Sequence, residues 1–567
     1  MAKEYLKNSI FDKDSLQTKV KTNRISIPER IWGYLIGPGF VYLHFSTVNS
    51  LRELYFMDVV RINENYGSPL TYMRMTLVTT IIGMLFGFLL NHITEKTVSK
   101  AGRFRPYVLI GNILMALSGL MIFASPFAFG TTAHLVWLYA ASILYTSISV
   151  PMYNLKNNVT SVCSRNVLER NSLTTLSSAV TVMVGGTFGA LVITGIIYPT
   201  ILQKDLTGRS WTLVIATCAV LCLIFSFVQY FWTRERVTEE NQKVLKDESD
   251  SAAITVPFKT QLKNALTDKY FILAMVVLIG STFYDALQGG NSRVNMITYI
   301  LGGNESNGLQ LIYLLVSMQP MAIGAIVVPI LARKFSSRKI MIISSIITLI
   351  GVGIALINPY NFGIAVAGGI VFACGIFAVT NMFYVFQQQA YDHIEYKHEY
   401  RAEGTLATGL ITTIITTLMT PLNAVYETGL TMSGYKAGLA VQPDAVNKWI
   451  LFAYYGSYAI FAIIILVVSI LFDLEPRMPE IHKELRARAK KAAEDRGEVY
   501  ISPEEQDRLE MKAAAKELEE ARIEELKEKC AKKGLDFETE NRKYLDAKAE
   551  KEAKAAAKAA KKNRKKK

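Results

Sequence analysis

Long apolar stretches alternate with short charged ones along most of the chain, and the length of the apolar stretches is what the sequence specifies first. A helix crosses about 30 Å of hydrocarbon with about 20 mostly apolar residues, and inside a bilayer only helices or closed barrels satisfy their own backbone. Twelve stretches have that length, near Ile31–Phe56, Leu70–Asn91, Tyr107–Phe127, Leu135–Leu155, Leu173–Tyr198, Trp211–Trp232, Tyr270–Ile300, Leu309–Leu331, Ile340–Ile357, Phe362–Tyr391, Thr405–Tyr426 and Trp449–Phe472. The pattern predicts twelve spans, which we number in chain order. Residues 1–30 are polar, with no short apolar core followed by small residues. No signal peptide is expected, and the first span directs insertion.

Composition agrees. Of 567 residues, 51% are hydrophobic and 19% charged, which excludes an ordinary soluble protein of this length. Lys96, Lys100, Arg103 and Arg105 fall between spans two and three, Lys156, Arg165 and Arg170 between four and five, and Arg333, Lys334, Arg338 and Lys339 between eight and nine. These loops share one side, which the positive-inside rule makes cytoplasmic together with both termini. Trp32, Trp137, Trp211, Trp232 and Trp449 fall at span ends, where an indole prefers the headgroup level. The expected location is the plasma membrane.

Between spans six and seven, residues 233–268 are rich in Glu, Lys and Asp and close with Phe258, Leu262 and Leu266 at helical spacing. That stretch is expected to lie along the membrane surface. It divides the chain into two six-helix halves, 31–232 and 269–472, an organisation that places a binding site between the halves. No internal repeat is visible by eye. Residues 473–567 are a charged cytoplasmic tail, read as lying outside the membrane core. Ser502, Pro503 and Glu505 open a tail helix and Gly534 ends it. Its apolar residues Leu509, Leu518, Ile523 and Leu526 are too sparse for a heptad seam, so a solvated helix is expected. The net charge of +14 comes from cytoplasmic loops and this tail. The Lys-rich end of the tail reads first as a disordered cytoplasmic charge tail and next as a contact for anionic lipid, and no nucleic-acid partner is expected.

Several segments carry a family pattern. Met382–Thr405 reads as a charged surface loop between two apolar runs and contains Asp392, Tyr396, Lys397, Arg401, Glu403 and Gly404. Gly102–Gly111 enters span three with Arg103, Arg105 and Pro106; Tyr145–Leu155 holds Pro151; Glu169–Leu173 opens span five; Leu262–Tyr270 approaches span seven; and Met57–Val60 closes span one. Together they resemble the glycoside–pentoside–hexuronide:cation symporters, the melibiose-carrier-like branch of the major facilitator superfamily. The resemblance implies a major facilitator fold, cation-coupled uptake of sugars or glycosides, and roles in gating or conformational change for Arg103, Arg105, Asp392, Lys397, Arg401 and Glu403. One departure stands out. The acids that bind the cation on spans one and two of typical sodium-coupled members fall here at or near Tyr42, Thr79 and Gly83, so protons are favoured over sodium.

Charges retained inside a membrane mark function by default. Asp285 in span seven is the leading coupling candidate, or else a structural partner of Arg293; Glu53 beside Arg52 in span one is the second, or else a structural pair. Candidate substrate contacts are Tyr42 and Asn49, on one helical face with Ser46 and Glu53, then Tyr153 and Asn154 in span four, Gln288 in span seven, and Asn381 and Tyr384 with Gln388 in span ten. Such groups either line a cavity or bind neighbouring helices. Lys156 reads as a cytoplasmic-edge charge. The five cysteines are scattered, with neither disulfide nor metal spacing, and no phosphate-binding glycine loop marks an ATP-driven pump.

These readings converge on an all-α membrane protein that is not an enzyme: a symporter for a sugar, glycoside or related organic solute, with no cofactor beyond a coupling H+ or Na+. An electroneutral facilitator or exchanger and a nontransporting sensor are the alternatives. The topology is testable. Reporters fused after Lys567 and inserted within 233–268 are expected on the cytoplasmic side and one within 302–306 outside; an external C-terminus would refute the twelve-span arrangement.

Overall fold

A computed structural model describes residues 13–20, 25–97, 99, 101–164, 166–236, 256–287, 290–302, 312–313, 331, 335–400, 411, 424–437, 439, 441–495, 497, 503–546 and 550. Every regular element among the described residues is helical. Six helices are long and apolar enough to cross a membrane unaided: Thr71–Thr94, Arg105–Phe123, Thr132–Thr160, Arg209–Phe231, Ser337–Ile357 and Asp444–Lys491. The first span runs through Glu29–Ile36, Gly37–Leu54 and Tyr55–Val59, and the fifth through Val167–Val180 and Thr181–Leu202. The predicted eighth and eleventh spans lie almost wholly outside the described residues.

Local chemistry sets the ends. Ser336 and Asn361 cap the ninth and tenth helices, their side chains accepting from the N–H groups of Lys339 and Ile364, as short polar side chains do at helix starts. Between these two helices the backbones nearly touch. A Cβ on Gly351 would lie 2.3 Å from the Phe372 nitrogen, so only a small residue permits this crossing. The linker helix Phe258–Thr267 meets the seventh span, from Lys269, at a bend of 79°. It therefore lies across the span rather than along it.

The two largest apolar cores among the described residues form around Val48, Phe56 and Met115 in the first half and around Phe271, Phe372 and Phe461 in the second. The N-terminal segment reaches the end of the sixth span, where Lys19 N donates to the Phe231 carbonyl and Thr18 Oγ1 to that of Thr233. We call that side, from which the tail also leaves, the terminal side, and the opposite one the far side.

Four sequence expectations change. The tenth helix, Phe362–His398, continues through Asp392 and Lys397, which the sequence assigned to a loop. Its residues are adequate helix formers, and no Gly or Pro intervenes before Gly404. Trp211 is 1% exposed and packs on Tyr55 and Tyr198, so it is an internal residue and not a headgroup anchor. Lys156 belongs to the fourth span, Thr132–Thr160, and not to the following loop. Finally, the tail is part of the core at its start. Met478 and Ile481 are buried in the second core, and Leu485 packs against it, while the rest of helix Met478–Asp495 grips the tenth helix: His482 Nε2 lies 3.0 Å from Asp392 Oδ2, and Arg488 donates to the Tyr396 carbonyl at 3.0 Å.

The second tail helix, Pro503–Lys533, is mostly exposed and touches the loop before the fifth span through Asn166 and Glu517. The two helices therefore differ in what their loss removes. Ile481→Ala is expected to cost about 2 kcal/mol or more. Truncation after Asp473 should lower the melting temperature of the purified protein, while truncation after Asp495 should leave it near that of the full chain.

Candidate functional site

The polar face of the first span is the axis of the site. Tyr42, Ser46, Asn49 and Glu53 are each partly exposed, while Val41, His44, Thr47, Val48 and Leu51 on the other faces are buried within the first half. Close contact of the third and fourth spans sets what stands opposite. A Cβ on Gly111 would fall 2.8 Å from the Tyr153 nitrogen, so the glycine lets the fourth span approach and bring Tyr153 against the first. The Phe45 and Tyr153 rings stack at 5.2 Å, and the Tyr145 hydroxyl donates to the Phe45 carbonyl at 3.4 Å.

Three polar levels follow along this face. Nearest the terminal side, the Lys156 ammonium donates to the Tyr153 hydroxyl and sits over the rings of Tyr153 and Tyr42, at 3.9 and 5.1 Å from their centroids. In the middle, Arg52 Nη1 donates to Thr146 Oγ1 at 2.9 Å. Beyond it, Glu53 Oε1 accepts from the Tyr72 hydroxyl at 3.3 Å. Arg52 and Glu53 thus extend to spans four and two as well as standing beside each other in sequence.

At the far side the two halves are joined. Asp58 accepts from the Tyr435 hydroxyl of the second half at 2.8 Å and from that of Tyr198 at 3.3 Å. Asn63 Nδ2 donates to Thr431 Oγ1 at 3.0 Å, and Arg61 to the Ala437 carbonyl at 3.5 Å. Val294 and Ala424 of the second half are buried in the first-half core. Sequence reasoning used Asp58 only as a motif residue; its tie to Tyr435 joins positions too distant along the chain for any local pattern to reveal.

At the terminal side each half has a polar corner. Glu235 accepts from the backbone N–H groups of Arg103, Phe104 and Arg105 at 2.7–2.8 Å. Arg105 in turn donates to the carbonyls of Ala101 and Tyr230 and to Thr233 Oγ1, and Arg103 Nε to the Thr94 carbonyl at 2.8 Å. In the second half Glu475 accepts from Ser337 N and Arg338 N at 2.7 and 2.9 Å, while Arg338 donates to the carbonyls of Ser469 and Ile470. Arg103 and Arg105 therefore hold helix ends, and their carboxylate partner was missed by the sequence reading.

The family model described as MFS/sugar transport protein matches residues 35–476. The chain belongs to that family. Its members are transporters, not enzymes, and the fold is that of a major facilitator. The chain is 23% identical over 390 residues to the uncharacterized symporter YjmB of Bacillus subtilis (strain 168), a match covering 67% of this chain and 78% of that one. It is 22% identical over 327 residues to the raffinose carrier protein of Pediococcus pentosaceus, covering 56% of this chain and 48% of the carrier. A bacterial homolog to the human lysosomal transporter Spinster, solved in an inward-facing and unoccupied conformation, shares the fold at 12% identity, with a TM-score of 0.53, 80% of this chain and 98% of that one covered. The resemblance to cation symporters drawn from the motifs agrees with these relatives.

For this MFS/sugar transport protein the remaining predicted site residues divide. Asn154 is exposed beside the buried Tyr153, Lys397 is exposed, and Asp392 pairs with His482. The side chains of Asp285, Asn381 and Tyr384, and all of Gln288, Arg401 and Glu403, lie outside the described residues. Among the described residues no group of three or more His, Cys, Asp or Glu stands ready for a metal. His393 bonds Asp268, with Nδ1 2.7 Å from Oδ2.

Asp268 also accepts from the N–H groups of Tyr270 and Phe271 through Oδ1, at 3.0 Å each, and so caps the seventh span. Burial opposes its charge, but the His393 contact and the two N–H donors outweigh it and hold the carboxyl below its ordinary range. A depressed carboxyl contributes stability that is present above its unfolded pKa of about 4 and is lost as pH falls through the folded value. Asp268→Ala should therefore cost about 1 kcal/mol or more at pH 7, and its gap from wild type should narrow below about pH 4 in thermal melts.

Proposed function

We propose that the protein is a secondary active transporter in the plasma membrane, with both termini cytoplasmic. It moves a sugar, glycoside or related organic solute by alternating access, coupled to a cation, with protons favoured over sodium. The observation that carries this reading is the partly exposed polar face Tyr42–Ser46–Asn49–Glu53, set against Tyr153 and Lys156 in a chain whose halves are tied together at the far side. Aromatic faces suit the apolar side of a sugar ring, and amide and hydroxyl groups its hydroxyls. A relative named as a symporter supports a coupling cation, and one named as a raffinose carrier protein supports the substrate class.

The proton preference rests on what stands at the family's cation-binding positions. Tyr42, Thr79 and Gly83 supply no carboxylate, whereas a hard cation such as sodium needs several oxygen ligands. Glu53, hydrogen-bonded to Tyr72, and Asp285 are the carboxyls to which this reading gives the proton. The same missing acids favour one competing reading, an electroneutral exchanger or facilitator.

Uptake into proteoliposomes under separately imposed proton and sodium gradients decides between them. One positive charge moving inward with a neutral solute at 100 mV gains about 2.3 kcal/mol, enough for roughly fifty-fold accumulation. Asp285→Asn should abolish accumulation and leave downhill exchange measurable, and Glu53→Gln should weaken the proton dependence. Accumulation driven by sodium alone, or an Asp285→Asn protein that still concentrates solute under a proton gradient, would overturn the assignment. No gradient response in wild type would establish the exchanger.

A further inference from the structure

Lys156 is the group that this transport reading leaves without a task. The sequence places it at the membrane edge, yet its ammonium turns inward, to Tyr42 on the first span and Tyr153 on its own. Tyr42 lies roughly 20 Å along the first span from Glu29 at 1.5 Å per residue, and so deep within a hydrocarbon core of about 30 Å. A charge at that depth costs about 2.5–3.5 kcal/mol on insertion scales.

Its surroundings offset only part of that cost. Two aromatic faces and one hydroxyl stabilise an ammonium, but none carries a full negative charge. Among the described residues no carboxylate stands within ion-pair distance of Lys156, and its ammonium meets Tyr42 and Tyr153. The nearest acid along the polar face, Glu53, is turned to Tyr72. By contrast, the buried Arg236 has Glu29, at 2.6 Å. Lys156 is thus held in place, partly exposed beside the polar face of the first span, with no carboxylate next to it among the described residues.

We propose that Lys156 and the Tyr153 hydroxyl bind an anionic group, a carboxylate or a phosphate, on the transported solute, so that the protein selects acidic sugars over their neutral parents. This rests on the transport function proposed above and narrows its substrate class. The ammonium and hydroxyl grip the anion, the Tyr42 and Phe45 rings lie beside the sugar, and Asn49, roughly 10 Å further along the same face, reaches its hydroxyls. The cation–π contacts hold the lysine ready while the site is empty and cost little when an anion takes its charge.

The test uses the purified full-length protein and matched probes: glucose, glucuronate and glucose 6-phosphate, and galactose, galacturonate and galactose 6-phosphate. Binding and proteoliposome uptake are measured for each. Wild type should favour one anionic form over its neutral parent by about tenfold or more, the equivalent of about 1.4 kcal/mol, and the arm that responds tells carboxylate from phosphate. Lys156→Met, which keeps the length of the side chain, should bring that ratio close to one, and Lys156→Arg should restore part of it. Melting temperatures of both variants establish that they are folded.

A wild type that prefers the neutral parents, or a folded Lys156→Met protein that keeps the anion preference, would overturn the proposal and make Lys156 a strut between helices. The sugar-transport reading survives either result. If sugars of neither charge bind or are taken up, that reading falls and this one with it.

Discussion

The carboxylates at the terminal-side corners, Glu235 and Glu475, hold the frame on which everything else depends. A helix leaves about four N–H groups unsatisfied at its start and four carbonyls at its end, and near hydrocarbon water is a poor remedy for them. In the first half Glu235 takes the donors opening the third span while Arg105 gives donors back to the Tyr230 carbonyl closing the sixth. In the second half Glu475 and Arg338 make the same exchange between the ninth and twelfth spans. Each exchange clamps two spans of one half, so that a half can tilt as a body. The register repeats as well, with Phe104 and Arg105 in the places of Ser337 and Arg338. Sequence comparison by eye finds no such repeat, because only one Arg and one Glu recur in each half, 130 and 137 residues apart.

What the sequence makes legible is what depends on length and local pattern. The all-helical class and the spans with described backbones follow from apolar run length. The first-span face was legible for the same reason: residues three and four apart share a side of a helix, and Tyr42, Ser46, Asn49 and Glu53 do. Where the reading failed, a tertiary contact decided. Lys156 looks like an edge charge until the fourth span is seen to run past it and Tyr42 is found under its ammonium. The start of the tail looks soluble, with charges on most turns, yet Met478 and Ile481 are enough to bury one stripe against the second core. The charged segment after span ten looks like a loop because polarity was taken for irregularity, although nothing in it breaks a helix before Glu399, where φ is 59°.

The far-side closure rests on a different kind of bond. Asp58 with Tyr435, Asn63 with Thr431 and Arg61 with Ala437 join the halves through a carboxylate–phenol, an amide–hydroxyl and a guanidinium–carbonyl hydrogen bond, with no ion pair among these three. Net contributions of neutral hydrogen bonds are about 0.5–1.5 kcal/mol each, and about 1.5–3 where one partner is charged. The buried pair of Glu29 and Arg236, at 2.6 Å within the first half, belongs to another class, since removing one partner of such a pair costs about 3–5 kcal/mol. The strongest interactions therefore lie inside a half and weaker ones between halves.

That ordering has a functional consequence for the transport cycle proposed above. Two states exchange under ligand control only if their difference is one that binding can reverse, and turning a ratio of 1:99 into 99:1 takes about 5.5 kcal/mol of differential affinity. A closure built from a few hydrogen bonds and two buried apolar contacts, Val294 and Ala424, stays within reach of a solute that satisfies Lys156 and Asn49 in one state better than in the other. A closure built from buried ion pairs like Glu29–Arg236 would not. Among the described residues the buried pair Glu29–Arg236 and the corner carboxylates lie within a half, and each bond that joins the halves has a neutral partner, which suits the proposed cycle.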